Sequence, residues 1–240
     1  MKKLMFAVAA IAAGVAVADI QSSNIVGYST SNLANGNKLV SAQFAPIGKT
    51  GYDIQDIVAT GADVESNVSL QTLTPSGKSN EMFTWDTWMF VDPGDAKWID
   101  QNGIATRKFQ PGEALWVSGK EGYTFQTAGE VSSDDLVVVL TNGNIAVGNP
   151  FPVAVDIQDI VATGADVESN VSIQTLTPSG KSDEMFTWDT WMFVDPGDAK
   201  WIDVNGIADR DIQPGEGLWV AGKNGYTLRI PAPNYGSDAE

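Results

Sequence analysis

The chain has 240 residues, a formal net charge of −16, and neither cysteine nor histidine. No cysteine means no disulfides; no histidine excludes a Ser-His-Asp triad, a histidine general base and the usual zinc sites. So acidic a chain should be soluble and repelled by nucleic acid and anionic lipid, and its eight Trp and nine Phe can fill a core, which a disordered chain lacks the means to do.

The N-terminus has the three parts of a secretory signal. Lys2 and Lys3 are basic, Leu4 to Val17 is apolar and uncharged, and Ala16-Val17-Ala18 offers small residues at the positions a signal peptidase reads. The apolar run is shorter than the roughly 20 residues of a membrane-spanning helix. Residues 1–18 are therefore read as a signal peptide, cleaved before Asp19. The mature chain, 19–240, is expected to be exported to the extracellular space, the cell surface or the periplasm, with no membrane span. Losing Lys2 and Lys3 takes its charge to −18.

The next feature is an internal repeat. Asp53–Asp100 recurs as Asp156–Asp203 with two changes, Leu70 to Ile173 and Asn80 to Asp183, so 46 of 48 positions match. Over the following 25 residues 17 match, and upstream Gly36–Phe44 resembles Gly143–Phe151 only loosely. A near-identical block with worn flanks points to an old duplication followed by recent copying of one block over the other. The chain is divided into a β repeat unit at 19–130 and a second at 131–240. No Pro/Gly/Ser linker separates them, so they should sit close together.

Within each unit the signals are mainly β. Val68–Thr74 is rich in β-formers and meets a turn at Pro75-Ser76-Gly77-Lys78, where Pro fixes φ and Gly accepts positive φ. Met82–Val91 follows, dense in aromatic and β-branched residues, and Asp92-Pro93-Gly94-Asp95 is a second turn. Pro111-Gly112-Glu113 opens a strand at Ala114–Val117, Tyr123–Gln126 is another, and Val137–Leu140 is a short apolar run. One segment reads as helix: Asp53 as N-cap, Ile54, Ile57 and Val58 on one face, Gly61 as stop, with Asp156 to Gly164 as its copy. Many short strands at close spacing predict two tandem small β-sandwich- or barrel-like domains, each with one short helix. Trp116 and Trp219 are expected in the core.

Three sets of residues could carry chemistry. Phe83, Trp85, Trp88 and Phe90 crowd one segment, copied as Phe186, Trp188, Trp191 and Phe193. Three residues apart on a strand, Trp85 and Trp88 face opposite sides. An exposed Trp beside a carboxylate stacks a sugar ring, which makes Trp85, Asp86, Trp88, Trp188, Asp189 and Trp191 candidate ligand-binding residues. The alternative is that these side chains fill the core of a small domain without disulfides. Second, Asp92, Asp95 and Asp100, copied as Asp195, Asp198 and Asp203, are candidate Ca²⁺ ligands, since oxygen-rich turns hold Ca²⁺; the spacing is not that of an EF-hand, and solvated turns with Asp bonded to nearby N–H groups are the favoured reading. No other cofactor is expected. Third, paired carboxylates could serve a glycosidase or esterase, but among 30 acidic residues close pairs arise by chance and none is singled out. Asn67-Val68-Ser69 and Asn170-Val171-Ser172 match the glycosylation sequon.

Several phrases resemble a set of exported, uncharacterised tandem β-repeat proteins of Verrucomicrobia–Lentisphaerae-type bacteria. Asn24-Ile25-Val26-Gly27-Tyr28 is similar to their "NIVGY" start. Gly143–Phe151 resembles their "ANPF" segment, Pro111–Val117 and Pro214–Val220 their "PGEGFWV" close, and Gly129-Glu130-Val131 the "GEV" between units. Residues 39–44, with Ser-Ala-Gln-Phe where Ala-Asn-Pro-Phe is expected, depart from that pattern. The resemblance implies export and a two-unit β architecture, and brings no catalytic residue. The sequence thus predicts a secreted or cell-envelope protein that is not an enzyme, structural or adhesive in role, with polysaccharide or other envelope proteins as partners; the alternative is a carbohydrate-binding protein.

Overall fold

A computed structural model describes residues 26–41, 43–44, 51–65, 67–78, 81–91, 97–178, 186–194 and 200–234. The signal-peptide reading falls outside these residues. The protein is mainly β. The first eleven strands are β1 Val26–Asn32, β2 Gly36–Ser41, β3 Tyr52–Asp53, β4 Val58–Thr60, β5 Ser69–Lys78, β6 Glu81–Phe90, β7 Trp98–Asp100, β8 Gly103–Ile104, β9 Lys108–Phe109, β10 Ala114–Gly119 and β11 Thr124–Glu130. The next eleven repeat them in order: β12 Leu136–Val139, β13 Gly143–Gly148, β14 Val155–Asp156, β15 Val161–Thr163, β16 Ser172–Pro178, β17 Phe186–Phe193, β18 Trp201–Asp203, β19 Gly206–Ile207, β20 Asp211–Ile212, β21 Gly217–Gly222 and β22 Thr227–Ile230. In the first unit β2-β10-β5-β6-β7-β8 form one sheet, β1-β11-β4 a second and β3-β9 a third; adding eleven to each number gives the sheets of the second unit.

Each unit closes its sheets over its own core. From Leu115 to Ser118 of β10 burial alternates: Leu115 and Val117 are buried, Trp116 and Ser118 only half so, as a strand with one face on a core requires. Leu70, Trp88, Phe90 and Trp98 of the large sheet meet Ala59 and Phe125 of the smaller one, with Tyr52 and Phe109 at the end of the layer. Leu218, Val220, Ile173, Trp191, Phe193 and Trp201 form the equivalent cluster in the second unit. Trp98 is fully buried; it donates its indole N–H to the Ile57 carbonyl at 2.9 Å and lies edge-on to Phe90, ring centres 5.1 Å apart. Such a buried Trp needs a partner for its polar edge.

The Gln55 side chain ties the core's edge together. Its amide nitrogen donates to the carbonyls of Trp98 and Ala105, both at 2.9 Å, and its oxygen accepts from the N–H groups of Lys97 and Trp98 at 2.7 and 3.0 Å. Gln158 repeats the arrangement around Trp201.

Two local expectations are corrected. The helix begun by Asp53 is one 3-10 turn, Ile54–Asp56, not two α turns. Ile57 donates back to the Ile54 carbonyl, and Val58 then starts β4 against β11. The three-residue period of a 3-10 turn buries both Ile54 and Ile57, and the β-branched residues that follow gain a strand partner, which a short helix could not offer them. Pro75–Lys78 is not a turn in the first unit: β5 runs through it with a register irregularity, and Lys78 still pairs with Glu81. The expected turn at 92–95 lies outside the described residues.

The units meet through two equivalent contacts. The Ser41 N–H donates to the Gly215 carbonyl at 2.8 Å, and the Gly148 N–H to the Gly112 carbonyl at 2.9 Å. Val40 bridges to Glu216 and Glu113 to Val147. Position 41 corresponds to 148, and 112 to 215, so each bond is the twofold image of the other. This is the pattern of an isologous dimer interface built within one chain.

Candidate functional site

The aromatic strip divides as alternation demands. Trp88 and Trp191 are each 5 % exposed. They belong to the cores, Trp88 edge-on to Phe109 at 5.9 Å, and are not ligand platforms; this corrects their place among the candidates. Trp85 and Trp188 stand at the opposite parity, paired in register with Leu73 and Leu176. Asp86 pairs with Thr72 and Asp189 with Thr175, which puts both carboxylate positions at the parity of Trp88 and Trp191. The side chains of Trp85, Asp86 and Trp188 lie outside the described ones. Asp189 is exposed.

The Trp residues expected in the core lie elsewhere. Trp116 and Trp219 are half-buried, on the faces of the large sheets that point away from the cores. Register places Leu39, Trp116, Gln71 and Thr87 in one row across β2, β10, β5 and β6. Gln71 donates to the Thr87 hydroxyl at 3.0 Å. The adjoining row runs Asn37, Ser118, Ser69, Met89, Ile99, Ile104, and Met89 and Ile104 are exposed. The second unit presents Ala146, Trp219, Gln174 and Thr190, with Gln174 donating to Thr190 at 3.0 Å. Each outer face is thus an indole, an amide–hydroxyl pair and aliphatic side chains in fixed order.

Beside these faces the junction leaves two clefts, related by the same twofold. One, of about 340 Å³, is lined by Ser31, Asn32, Asn37, Lys38, Gln213 and Glu216, among others. Its mate, about 290 Å³, has the same turn, Gln110–Glu113, but Val138, Val139 and Ile145 where the first has Ser31, Asn32 and Lys38. Polar side chains of the first cleft thus stand where the second has aliphatic ones. Lys38 occupies a core-facing register position opposite Val117 and reaches the Asn32 carbonyl at 3.1 Å. Burial holds its ammonium below the usual lysine range, against the pull of Glu216. Glu216 is raised by burial, opposed by the Gln213 N–H, Arg210 and Lys38; Glu113 is raised by burial, opposed by Arg107.

The remaining candidates have structural partners or lie beyond view. Asp100 accepts from the Asn102 N–H at 2.7 Å and Asp203 from the Asn205 N–H at 2.6 Å, so both stiffen turns. Asp92, Asp95, Asp195 and Asp198 are outside the described residues, and among the described ones no cluster of acidic side chains could hold a metal. The sequon residue Asn67 donates to the Asp63 carbonyl at 2.6 Å and accepts from Lys120 at 2.8 Å; Asn170 does the same with Asp166 and Lys223. These amides brace a loop in which Asp63 and Asp166 sit at φ +54° and +56°. No described helix is long and apolar enough to cross a membrane.

Sequence reasoning missed Lys38, Glu216, Gln71 and Gln174. Two signals pointed to them: Trp116 stands out of phase with Leu115 and Val117, and Lys38 lies where the likeness between units fades. Comparisons with protein families, with curated proteins and with solved structures find no match to this chain.

Proposed function

We propose that this is an exported, non-enzymatic protein of the cell surface or envelope, structural or adhesive in role, akin to the bacterial tandem β-repeat proteins it resembles. One observation carries this reading: the residues repeated most faithfully serve the fold. Gln55, Trp88, Phe90 and Trp98, and their copies, are used in the two cores and at their edges. Recent copying accounts for the likeness of the two blocks, and the use of these side chains in the cores accounts for their kind, without a reaction. The test is co-sedimentation of the mature chain with envelope preparations, with and without soluble glycans as competitors. Retention that no glycan displaces is the expected result. Turnover of chromogenic glycosides or esters, abolished by a single carboxylate change, would refute it.

The second reading is carbohydrate binding. It is favoured by the outward row of Trp116, Gln71 and Thr87, present again as Trp219, Gln174 and Thr190. Two such faces in one chain would add avidity. On this reading tryptophan fluorescence shifts on titration with a polysaccharide, and Gln71→Ala with Gln174→Ala abolishes the shift. The first reading predicts no shift.

A further inference from the structure

The hydrogen bonds at the junction come in matched pairs, but its side chains do not. A Cβ added to Gly217 would lie 2.5 Å from the Leu39 Cγ and 2.8 Å from its carbonyl carbon. At the twofold image of that contact stand Ala114 and Ala146. One half therefore joins a large residue to glycine, and the other joins alanine to alanine. On the twofold itself Ser41 faces its own counterpart, Gly148, where a Cβ would come within 2.5 Å of the Ser41 Cβ. Leu39, Ser41 and Ala114 are buried, yet none belongs to the core cluster of its unit. Gln43, also buried, donates across the junction to the Phe151 carbonyl at 3.1 Å and accepts from Ser29. Its counterpart, Pro150, has no side-chain group that could do this.

We infer that the junction is a twofold pairing surface made one-way by size: the first unit accepts the second unit and rejects another first unit. Two first units would set Leu39 against Ala114 twice and Ser41 against Ser41 once, at separations real Cβ atoms do not adopt. Two second units would oppose Ala146 to Gly217 twice and Gly148 to Gly148, leaving voids where the native pair has side chains. Only the mixed pair fills the space without overlap. Such asymmetry is how a self-complementary interface is turned against its own homodimer. The partner this surface fits is thus the other half of the same chain. A folded chain saturates the surface, which is then closed to further copies.

The test uses the whole protein. A protease site placed in the loop at 131–134 is cut after folding. The two fragments are expected to co-elute at the size of the intact chain. After two differently tagged cut proteins are unfolded and refolded together, first–second pairs carrying both tags should form and first–first pairs should not. Dissociation of the cut fragments, or capture of one first unit by another, would overturn the inference. A second measurement needs no cleavage. Gly217→Ala should lower the melting temperature of the intact protein, and adding Leu39→Ala should recover part of the loss, because the pair then matches Ala114 and Ala146. If the double variant melts no higher than Gly217→Ala alone, size complementarity is not what joins these residues.

Discussion

Four backbone groups converge on the side-chain amide of Gln55, and four on that of Gln158. Gln55 satisfies the edge where β7 begins beside the 3-10 turn of the first unit, and Gln158 the edge where β18 begins beside that of the second. Alanine would leave several of these groups unpaired near the core, so Gln55→Ala is expected to cost about 2–4 kcal/mol. Chemical denaturation would measure it, and a loss below about 0.5 kcal/mol would show that water replaces the amide without penalty. The two Trp classes give a paired expectation. Trp98→Ala removes a fully buried indole and its bond to Ile57, at about 3–5 kcal/mol. Trp116→Ala removes a half-buried one and should cost clearly less, reversing what the sequence leads one to expect of Trp116. Equal losses would place Trp116 in the core after all. Glu113 and Glu216 add a pH signature. Both are raised by burial, so the folded state holds the proton more tightly than the unfolded chain does. Their contribution to stability is complete below the unfolded value and is lost as pH rises through the folded one. The double change Glu113→Gln, Glu216→Gln should flatten stability over the range just above the ordinary glutamate value. Urea midpoints with an unchanged pH slope would contradict this.

The strands were readable because their signals are local. β-branched and aromatic runs pointed to β5, β6, β10 and β11, although β5 continues through the Pro75–Lys78 turn the sequence suggests, and Gly112 takes the positive φ of +81° that its turn requires. The helix was misjudged because spacing alone does not separate an α turn from a 3-10 turn followed by a strand. Ile54 and Ile57 face inward in either case; pairing of Val58 with Gln126 across β4 and β11 decides between them. An α-favouring change such as Thr60→Ala should therefore not lengthen the helix. It removes the hydroxyl contact between Thr60 and Thr124 at 2.6 Å and is expected to destabilise the first unit by about 1 kcal/mol. Increased helical circular dichroism in that variant would count against this account.

On the scale of the whole molecule, two cores stand side by side and share a junction. Each cluster is drawn from one unit alone. Damage to one core should leave the other intact: Trp98→Ala is expected to split thermal unfolding into two steps, the earlier one belonging to the first unit. A single transition merely shifted downward would mean the junction couples the units completely. The junction also sets what the molecule presents. Two outer faces carrying Trp116 and Trp219 flank it, and of its two clefts one is lined by Lys38 and the other by Ile145 in its place.

The sequence by itself determined the β class, the doubling and the stock of core residues. These follow from strand alternation, turn chemistry and repetition, which need only neighbours along the chain. Which tryptophans face inward was decided by the tertiary structure, because a strand's parity fixes which residues share a side but not which side is covered. Trp88 is buried since β6 lays that parity over Phe109; Trp116 is not, since Leu115 and Val117 take the inner face of β10. The cleft beside Lys38 and the one-way junction were likewise out of reach. They arise where Lys38, Leu39 and Ser41 meet Glu216, Gly217 and Gly148, residues more than a hundred positions away in the sequence, brought together only when two similar units pack about a common twofold.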